Sequence, residues 1–144
     1  PVSSSSFAFL PFYEDVEAAA GSGAAVISDA AHSVIGFARD LLRESGASPQ
    51  TCTVIRAIGD SMSPTIPDGA LLVVDHSQRE IVANGSIMVI GVDDDLLVKR
   101  IRRRFDGSVE LISDNTIYAP ETLGTSALQK LRVIGRVVYF CRTP

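Results

Sequence analysis

The stretch that decides the fold is LLVKRIRRRFDGSVELI, residues 96–112. Asp106-Gly107 is typical of a tight hairpin turn, because Asp and Gly tolerate the positive φ angles that such turns need. The segments before and after the turn, 96–105 and 108–112, are rich in aliphatic residues. The stretch therefore predicts two antiparallel strands joined by a short turn.

Similar β-rich runs separated by turn residues occupy most of the chain. A helical apolar period predicts one helix over residues 33–44, with Ser33 as its N-cap and Gly46 as its stop. Residues 1–12 show no period and are interpreted as a loosely packed arm. We therefore predict a mostly-β fold, built of folded-over antiparallel sheets or a partial barrel with one short N-terminal helix. The predicted strands are 12–16, 52–58, 70–74, 86–92, 96–105, 108–112 and 131–141.

The composition excludes several classes of protein. The chain has 144 residues, of which 46% are hydrophobic and 21% charged, as in a single globular domain. No uncharged stretch reaches the roughly 20 apolar residues that cross a membrane. The net charge of −4 argues against nucleic-acid binding by this domain alone. Because the chain begins at Pro1 without Met, we expect a piece of a longer protein.

The cysteines and histidines give no metal signature. Cys52 and Cys141 form no C-x-x-C pair, and His32 and His76 are far apart in sequence. A zinc site needs about four ligands at recognisable spacings. We therefore predict no metal and no cofactor, and interpret the cysteines as free thiols in a reducing cytoplasm.

A candidate nucleophile follows the predicted strand 52–58. In Gly59-Asp60-Ser61-Met62-Ser63-Pro64-Thr65, glycine releases the backbone from the strand and Pro64 favours a turn. Ser61 would lie at the strand exit, where unpaired backbone N–H groups could form an oxyanion hole. The alternative is that Ser61 or Ser63 only caps a turn.

The candidate base is one of only two lysines, Lys99 and Lys130. Alternation along the strand 96–105 puts Lys99 on the more apolar face. Burial disfavours charged lysine, and a neutral amine can act as a general base, which arginine cannot. The alternative is a lysine that extends from a half-buried face into water. The apolar face would carry Leu97, Lys99, Ile101, Arg103 and Phe105, and the wet face Val98, Arg100, Arg102 and Arg104.

Together, Ser61 and Lys99 suggest a Ser-Lys dyad, in which the lysine removes the proton from the serine hydroxyl. A Ser-His-Asp triad would need His76 near Ser61, and no pattern connects the two. The basic run 99–104 could bind nucleic acid, but Asp93 to Asp95 balance it nearby in sequence. We therefore expect a solvated face or a partner surface there.

These motifs resemble the self-cleaving repressor family, which includes LexA-type SOS repressors, UmuD-type mutagenesis proteins and lambda-like phage repressors. The resemblance covers about residues 12–142 and is closest to the phage-repressor branch. Gly69-Ala70 departs from the Gly-Asp of many relatives. The motifs that carry the resemblance are 59–65, Pro67-Asp68-Gly69, Val73-Val74-Asp75, Val98-Lys99-Arg100-Ile101, Leu111-Ile112-Ser113-Asp114-Asn115 with Tyr118, and 134–138.

The resemblance implies a site and a substrate. Ser61 would be the nucleophile and Lys99 the general base, with Asp60 and Met62 supporting the turn and the oxyanion hole. The substrate would be the chain's own Ala20-Gly21 step, in a flexible Ala/Gly/Ser stretch. Residues 1–29 would form a linker and cleavage segment, and residues 30–144 the autoprotease and dimerisation domain.

The resemblance also implies partners. A DNA-binding domain upstream would bind operator DNA, the present domain would form a homodimer, and a RecA-type filament on single-stranded DNA would stimulate cleavage in the cytoplasm. Strand 131–141 could be a dimer interface or a central strand. The alternatives are a dimerisation or sensing module that never cuts itself, a mutagenesis protein, and a signal-peptidase-like enzyme, which would need a membrane anchor.

Overall fold

Strands dominate the computed structural model, which describes residues 4–14, 16–18, 25–27 and 33–144. The helices are α1 (Arg39–Glu44) and α2 (Thr125–Leu128), with 3-10 turns at Ser4–Ser6 and Pro49–Thr51. α1 is the longer and has six residues, so no helix of the described residues could cross a membrane. The strands are β1 (Phe7–Tyr13), β2 (Val16–Ala18), β3 (Ala25–Ile27), β4 (Ser33–Ala38), β5 (Cys52–Arg56), β6 (Leu71–Asp75), β7 (Ser86–Val92), β8 (Asp95–Arg103), β9 (Val109–Ile112), β10 (Glu121–Leu123) and β11 (Leu131–Cys141).

Nine strands form one open sheet in the order β10-β9-β8-β7-β11-β6-β5-β1-β4, and β2 pairs with β3 separately. The mostly-β prediction is confirmed. The sheet is mixed rather than purely antiparallel, because β1 runs parallel to β5. β11 is a central strand, hydrogen-bonded to β6 on one side and β7 on the other.

The prediction of a helix over residues 33–44 is wrong in its first half. Residues 33–38 form β4, paired antiparallel with β1, and α1 begins only at Arg39 after Ala38, so Ser33 is not its N-cap. Val34 and Ile35 are β-branched and favour a strand, and pairing with β1 decides the outcome. The predicted stop is confirmed, since Gly46 follows the helix with a φ of +73°.

The interpretation of residues 1–12 as a loosely packed arm is also wrong. Residues 7–12 belong to β1, where Ala8, Leu10 and Phe12 are buried against Leu42 and Val54. Alternation of these buried side chains with the exposed Phe7 and Phe9 is the pattern of a strand with one face in the core. The alternation of apolar residues along 7–12 could therefore have predicted this strand from the sequence.

The 96–112 hairpin forms as predicted around Asp106-Gly107, where Arg104 N–H donates to the Ser108 carbonyl at 2.8 Å. β8 ends at Arg103, however, and Phe105 is fully exposed beyond it. The opposite face is not uniformly wet either, because Leu96 and Val98 pack against a core cluster. Apolar residues thus cover both faces of the first half of β8.

Two core layers enclose the middle of the sheet. One layer packs Leu96 and Val98 of β8 onto a cluster from β5, β6 and the loop that follows β5. The other packs Ile101 of β8 with residues of β7 and β9. The buried members of the first layer are Ile55, Ala57, Met62, Ile66, Ala70, Leu72, Val74, Val89 and Ile134, and those of the second are Met88, Ile90, Ile101, Val109 and Leu111.

The backbones of β11 and β6 approach each other so closely at Gly135 that only glycine fits there. The pairing of β11 with β7 shifts register between Val133 and Gly135. A Cβ atom on Gly135 would lie 2.5 Å from the Asp75 carbonyl oxygen and 2.9 Å from a Val74 methyl group. The close approach of the two backbones therefore depends on the absence of a side chain.

The carboxylate of Asp75, at the end of β6, is fully buried and fully hydrogen-bonded. It accepts bonds from Thr51 Oγ1, Ser77 N–H and Oγ–H, and Gln78 Nε2, at 2.7 to 2.9 Å. Burial by itself would raise the pKa of Asp75, but the bonds from Gln78, Ser77 and Thr51 together hold it below its ordinary value. The ionised side chain joins β6 to the turns before β5 and after β6.

We predict that Gly135→Ala destabilises the protein by about 1–3 kcal/mol, because the added methyl group overlaps the backbone of Asp75. Urea unfolding measures this loss. Gly36→Ala is the matched control, since a Cβ there would meet only Phe9 ring atoms, at 3.7 Å and beyond. Equal stability of the two variants would contradict the packing argument.

We predict that Asp75→Asn costs about 1–3 kcal/mol at pH 7, because the amide nitrogen cannot accept the bond from Gln78. The folded-state pKa of Asp75 is lowered, so its contribution is complete above the unfolded value and disappears as pH falls through the folded one. The difference from wild type should therefore narrow below about pH 4. Unfolding curves from pH 3 to 7 test this, with the exposed Asp94→Asn as control; a constant difference would oppose it.

Candidate active site

Ser61 lies in a loop, residues 59–66, that leaves the sheet directly after β5; we call it the serine loop. Gly59 opens it with a φ of +96°, which a glycine adopts without strain. Gly59 N–H donates to Asp68 Oδ1 at 2.8 Å, and Ile66 N–H donates to the Met62 carbonyl at 2.8 Å. Met62 is buried in the core, so the loop is fixed on both sides of the half-buried Ser61.

Lys99 lies on β8, opposite Met88 of β7. The pairing of β8 with β9 ends at Arg100 and Ile112, so Ser113 follows one step beyond the last pair. Lys99 Nζ donates a hydrogen bond to Ser113 Oγ at 2.7 Å. Lys99 is half-buried.

Residues 113–118, the bridging segment, join the lysine strand to the serine loop. Asn115 N–H donates to the Ser61 carbonyl at 2.9 Å, and Asn115 Nδ2 donates to the Asp60 carbonyl at 3.0 Å. Tyr118 O–H donates to Asp60 Oδ1 at 2.6 Å. Through these bonds, a segment that also holds the Lys99 amine fixes the backbone around Ser61.

The two predicted turn-supporting residues both contact the bridging segment. Asp60 accepts bonds from Tyr118 and Asn115, as described, and its carbonyl also accepts from Ser63 N–H at 3.1 Å. The Met62 sulfur lies 3.5 Å from the Asp114 nitrogen, which donates to it. Their oxyanion role stays a prediction.

Ser61 and Lys99 line two neighbouring concavities that share Leu97. The Ser61 concavity, of about 310 Å³, is lined by charged and apolar side chains, among them Glu14, Arg56, Ile55, Met62 and Val98. The Lys99 concavity, of about 420 Å³, includes Ser113 and Tyr118. Among the described residues, the hydrogen-bond partner of Lys99 Nζ is Ser113 rather than Ser61.

The predicted cleavage step, Ala20-Gly21, lies outside the described residues. The flanking strands are described: β2 and β3 pair antiparallel, with Ala18 opposite Ala25, so residues 19–24 connect their ends. β2 lies close to β8, the strand that carries Lys99.

The structure argues against a Ser-His-Asp triad. Cys52 at the start of β5 pairs with Asp75, and Ser61 follows the other end of β5. His76 therefore lies a strand length, roughly 13 Å, from the serine loop. Its ring is 2.6 Å from Thr53 Oγ1, and burial lowers the pKa of His76.

Arg100 and Arg102 of β8 are paired, although with other partners than expected. Arg100 makes two bonds to Asp114, at 2.9 and 3.0 Å, and Arg102 Nε donates to Glu110 at 2.7 Å. The Arg100 guanidinium holds the pKa of Asp114 below its ordinary value. A concavity of about 800 Å³ beside Arg102 and Phe105 lies beyond the far end of this strand. The prediction of balancing by Asp93 to Asp95 is therefore replaced by cross-strand pairing.

The cysteines are free, and Cys52 is buried while Cys141 is exposed. Burial raises the pKa of the Cys52 thiol to about 11. Within the described ranges, no three His, Cys, Asp or Glu side chains cluster as metal ligands.

Comparison with known proteins places this geometry in a family. The sequence matches the Peptidase S24-like family over residues 11–138. It is 30% identical over 133 residues to the repressor protein CI of Enterobacteria phage phi80, covering 91% of this chain and 55% of that protein. It is 30% identical over 137 residues to the HTH-type transcriptional regulator PrtR of Pseudomonas aeruginosa, covering 91% and 52%.

A LexA repressor of Vibrio vulnificus is 36% identical over 95 residues, which cover 65% of this chain and 44% of that protein. The chain thus spans about half the length of the curated relatives it matches. The relatives are phage repressors and LexA, as the serine and lysine motifs predicted. This chain belongs to the S24-like peptidase family.

Proposed function

We propose that this chain is the C-terminal regulatory domain of a phage- or prophage-type transcriptional repressor, and that it cuts itself between Ala20 and Gly21. The relatives named as repressors support the regulatory part. The observation that carries the cleavage part is the bridging segment, because it binds Lys99 through Ser113 and the Ser61 backbone through Asn115.

In the proposed reaction, Ser61 Oγ attacks the Ala20 carbonyl carbon while neutral Lys99 takes the hydroxyl proton. The tetrahedral intermediate collapses as Lys99 returns that proton to the Gly21 nitrogen, which leaves as the amine. Water then attacks the Ser61–Ala20 ester while Lys99 takes one of its protons, and Lys99 returns that proton to Ser61 Oγ as the ester bond breaks and the Ala20 carboxyl group is released. The first step requires neutral Lys99 to direct its lone pair toward the Ser61 hydroxyl, while an N–H can keep the bond to Ser113.

Backbone donors near Ser61 are suited to stabilise the oxyanion. In the part of the chain that the structure describes, the N–H groups of Ser61 and Met62 donate to no protein acceptor. Free N–H groups at a rigid turn can bind the developing charge without reorganising. This is the oxyanion role that the loop would have.

The first half of β8 offers a place for an extended substrate. Residues 95–99 pair with β7 on one edge, and β9 pairs only with residues 100–103. An unpaired strand edge can hold a peptide by backbone hydrogen bonds, and β2 already lies close to β8. Because substrate and site belong to one chain, a high effective concentration replaces affinity.

In the cell, the domain would dimerise the repressor and so strengthen its hold on operator DNA, which a helix-turn-helix domain upstream would contact. Cleavage would separate the two domains and lower the affinity for operator DNA, because two DNA-binding domains bind more tightly when a dimer joins them. A RecA-type filament on single-stranded DNA would stimulate this step in the cytoplasm.

A non-cleaving dimerisation module is the second candidate. It is favoured by one observation, that Lys99 Nζ bonds to Ser113 and not to Ser61 in the described residues. The two candidates differ in whether the chain ever cuts itself.

We predict that the purified chain cuts itself between Ala20 and Gly21, and faster as pH rises from 7 to 10. The rate should follow the neutral fraction of Lys99, because only the neutral amine can accept the serine proton. Mass spectrometry of the fragments measures both the position and the rate. A folded chain that stays whole across this range would contradict self-cleavage.

Ser61→Ala and Lys99→Ala should each abolish the cut while the fold is retained. Lys130→Ala is the matched control, because it removes the other, exposed lysine. Wild-type cleavage by Lys99→Ala would exclude the dyad.

We predict a homodimer in solution, detected by sedimentation over a range of protein concentrations. The sedimentation coefficient should rise with concentration toward the dimer value. A monomer at the highest concentration would remove dimerisation from the proposal.

A further inference from the structure

Tyr118, which follows the predicted dyad motifs in sequence, contacts both halves of the site. Its hydroxyl donates to Asp60 Oδ1 at 2.6 Å, and Asp60 directly precedes Ser61. Its ring lies under the Lys99 amine, with Nζ 5.9 Å from the ring centroid. Tyr118 therefore contacts both Lys99 and the residue that precedes Ser61.

We propose that Tyr118 is a positioning residue with two separable effects: its hydroxyl fixes the serine loop, and its ring favours the charged form of Lys99. The inference rests on the proposed self-cleavage. Tyr118 would thus hold Ser61 in place for attack while restraining the base at neutral pH.

The hydroxyl effect acts through Asp60. Asp60 is exposed, and the bond from Tyr118 holds its side chain, whereas the bond from Asn115 Nδ2 holds its carbonyl. The phenol O–H makes a charge-assisted bond to the Asp60 carboxylate, stronger than a bond between neutral groups. This bond, followed by repulsion from the Asp60 charge, raises the pKa of Tyr118.

The ring effect acts on Lys99 directly. The face of an aromatic ring attracts an ammonium within about 6 Å and does not attract a neutral amine. The ring therefore opposes loss of the proton that the first chemical step requires.

Other charges near Lys99 stay in place when Tyr118 is changed. Glu121 lines the same concavity, and Glu14, Asp94 and Asp95 line the neighbouring one. Asp114 is bound by Arg100. On β7, the residue opposite Lys99 is the apolar Met88.

Two variants separate the effects in the full chain. Tyr118→Phe keeps the ring and removes the hydroxyl, and Tyr118→Leu removes both. Tyr139→Phe is the matched control, because Tyr139 is 40% exposed and Tyr118 is 42% exposed, and Tyr139 packs on Phe37 instead. Cleavage rates are measured from pH 6 to 11.

We expect Tyr118→Phe to lower the rate by about tenfold at every pH, as expected for losing one bond to a charged group. Tyr118→Leu should lose the same factor, and its pH of half-maximal rate should also fall by about half a unit. An undiminished rate in Tyr118→Phe would overturn the hydroxyl effect. Equal half-maximal pH in the two variants would overturn the ring effect.

Two measurements in a Ser61→Ala background test the inference without any cleavage. Acetic anhydride labels Lys99 and Lys130, and Tyr118→Leu should lower the pH at which Lys99, but not Lys130, reacts at half its maximal rate. Asp60→Asn should lower the pH at which Tyr118 ionises, followed by ultraviolet absorbance with Tyr118→Phe as the blank. An unchanged labelling profile of Lys99 would overturn the ring effect, and an unchanged titration of Tyr118 would overturn the hydroxyl effect. A wild-type chain that stays intact would instead overturn self-cleavage and leave both effects testable.

Discussion

The site depends on where the pairing of β8 with β9 stops. The ladder ends at Arg100 and Ile112, so the chain after β9 leaves the sheet as the bridging segment, residues 113–118. This segment contacts the serine loop, where Asn115 N–H donates to the Ser61 carbonyl. Had the pairing continued, a strand would cover the edge beside Lys99. Because the pairing ends one residue before Lys99, the lysine is held on that edge by the Ser113 side chain and not by β9. Its side chain also lines the neighbouring concavity.

The rigidity of this arrangement comes from the two core layers. Met62 belongs to the layer that packs Val98 of β8, so the serine loop and the lysine strand share one buried cluster. Ile101 anchors the same strand in the layer on its other face. Since close-packed interiors transmit displacement, a shift of β8 would move Lys99 and the loop together. The buried Asp75 and Gly135 fix β6 and β11 in the middle of the sheet, Asp75 through hydrogen bonds and Gly135 through close backbone approach.

Much of this could be predicted from local sequence, including the alternation in β1, and two of the errors have a common cause in non-local pairing. The turn at Asp106-Gly107 and the stop at Gly46 were predictable because backbone conformation at a turn depends on the residue itself. The segment 33–44 was not, because its apolar residues fit both a helix and a strand, and pairing with β1 decided between them. The same limit explains Arg100 and Arg102, whose acidic partners lie across the strand on β9 and beyond it rather than nearby in sequence.

For the site, sequence supplies the reactive groups and the fold supplies their geometry. A serine at a strand exit and a scarce lysine on an apolar face indicate chemistry by their residue types. Asn115 and Tyr118 carry ordinary side chains, and only the path of the bridging segment gives them contacts with Ser61 and Asp60. Lys99 is likewise held by Ser113, a residue of the same segment that bonds to the Ser61 backbone. If the proposed self-cleavage holds, its control would act on the contact between Lys99 and Ser113, at the edge of the sheet, and leave the core unchanged.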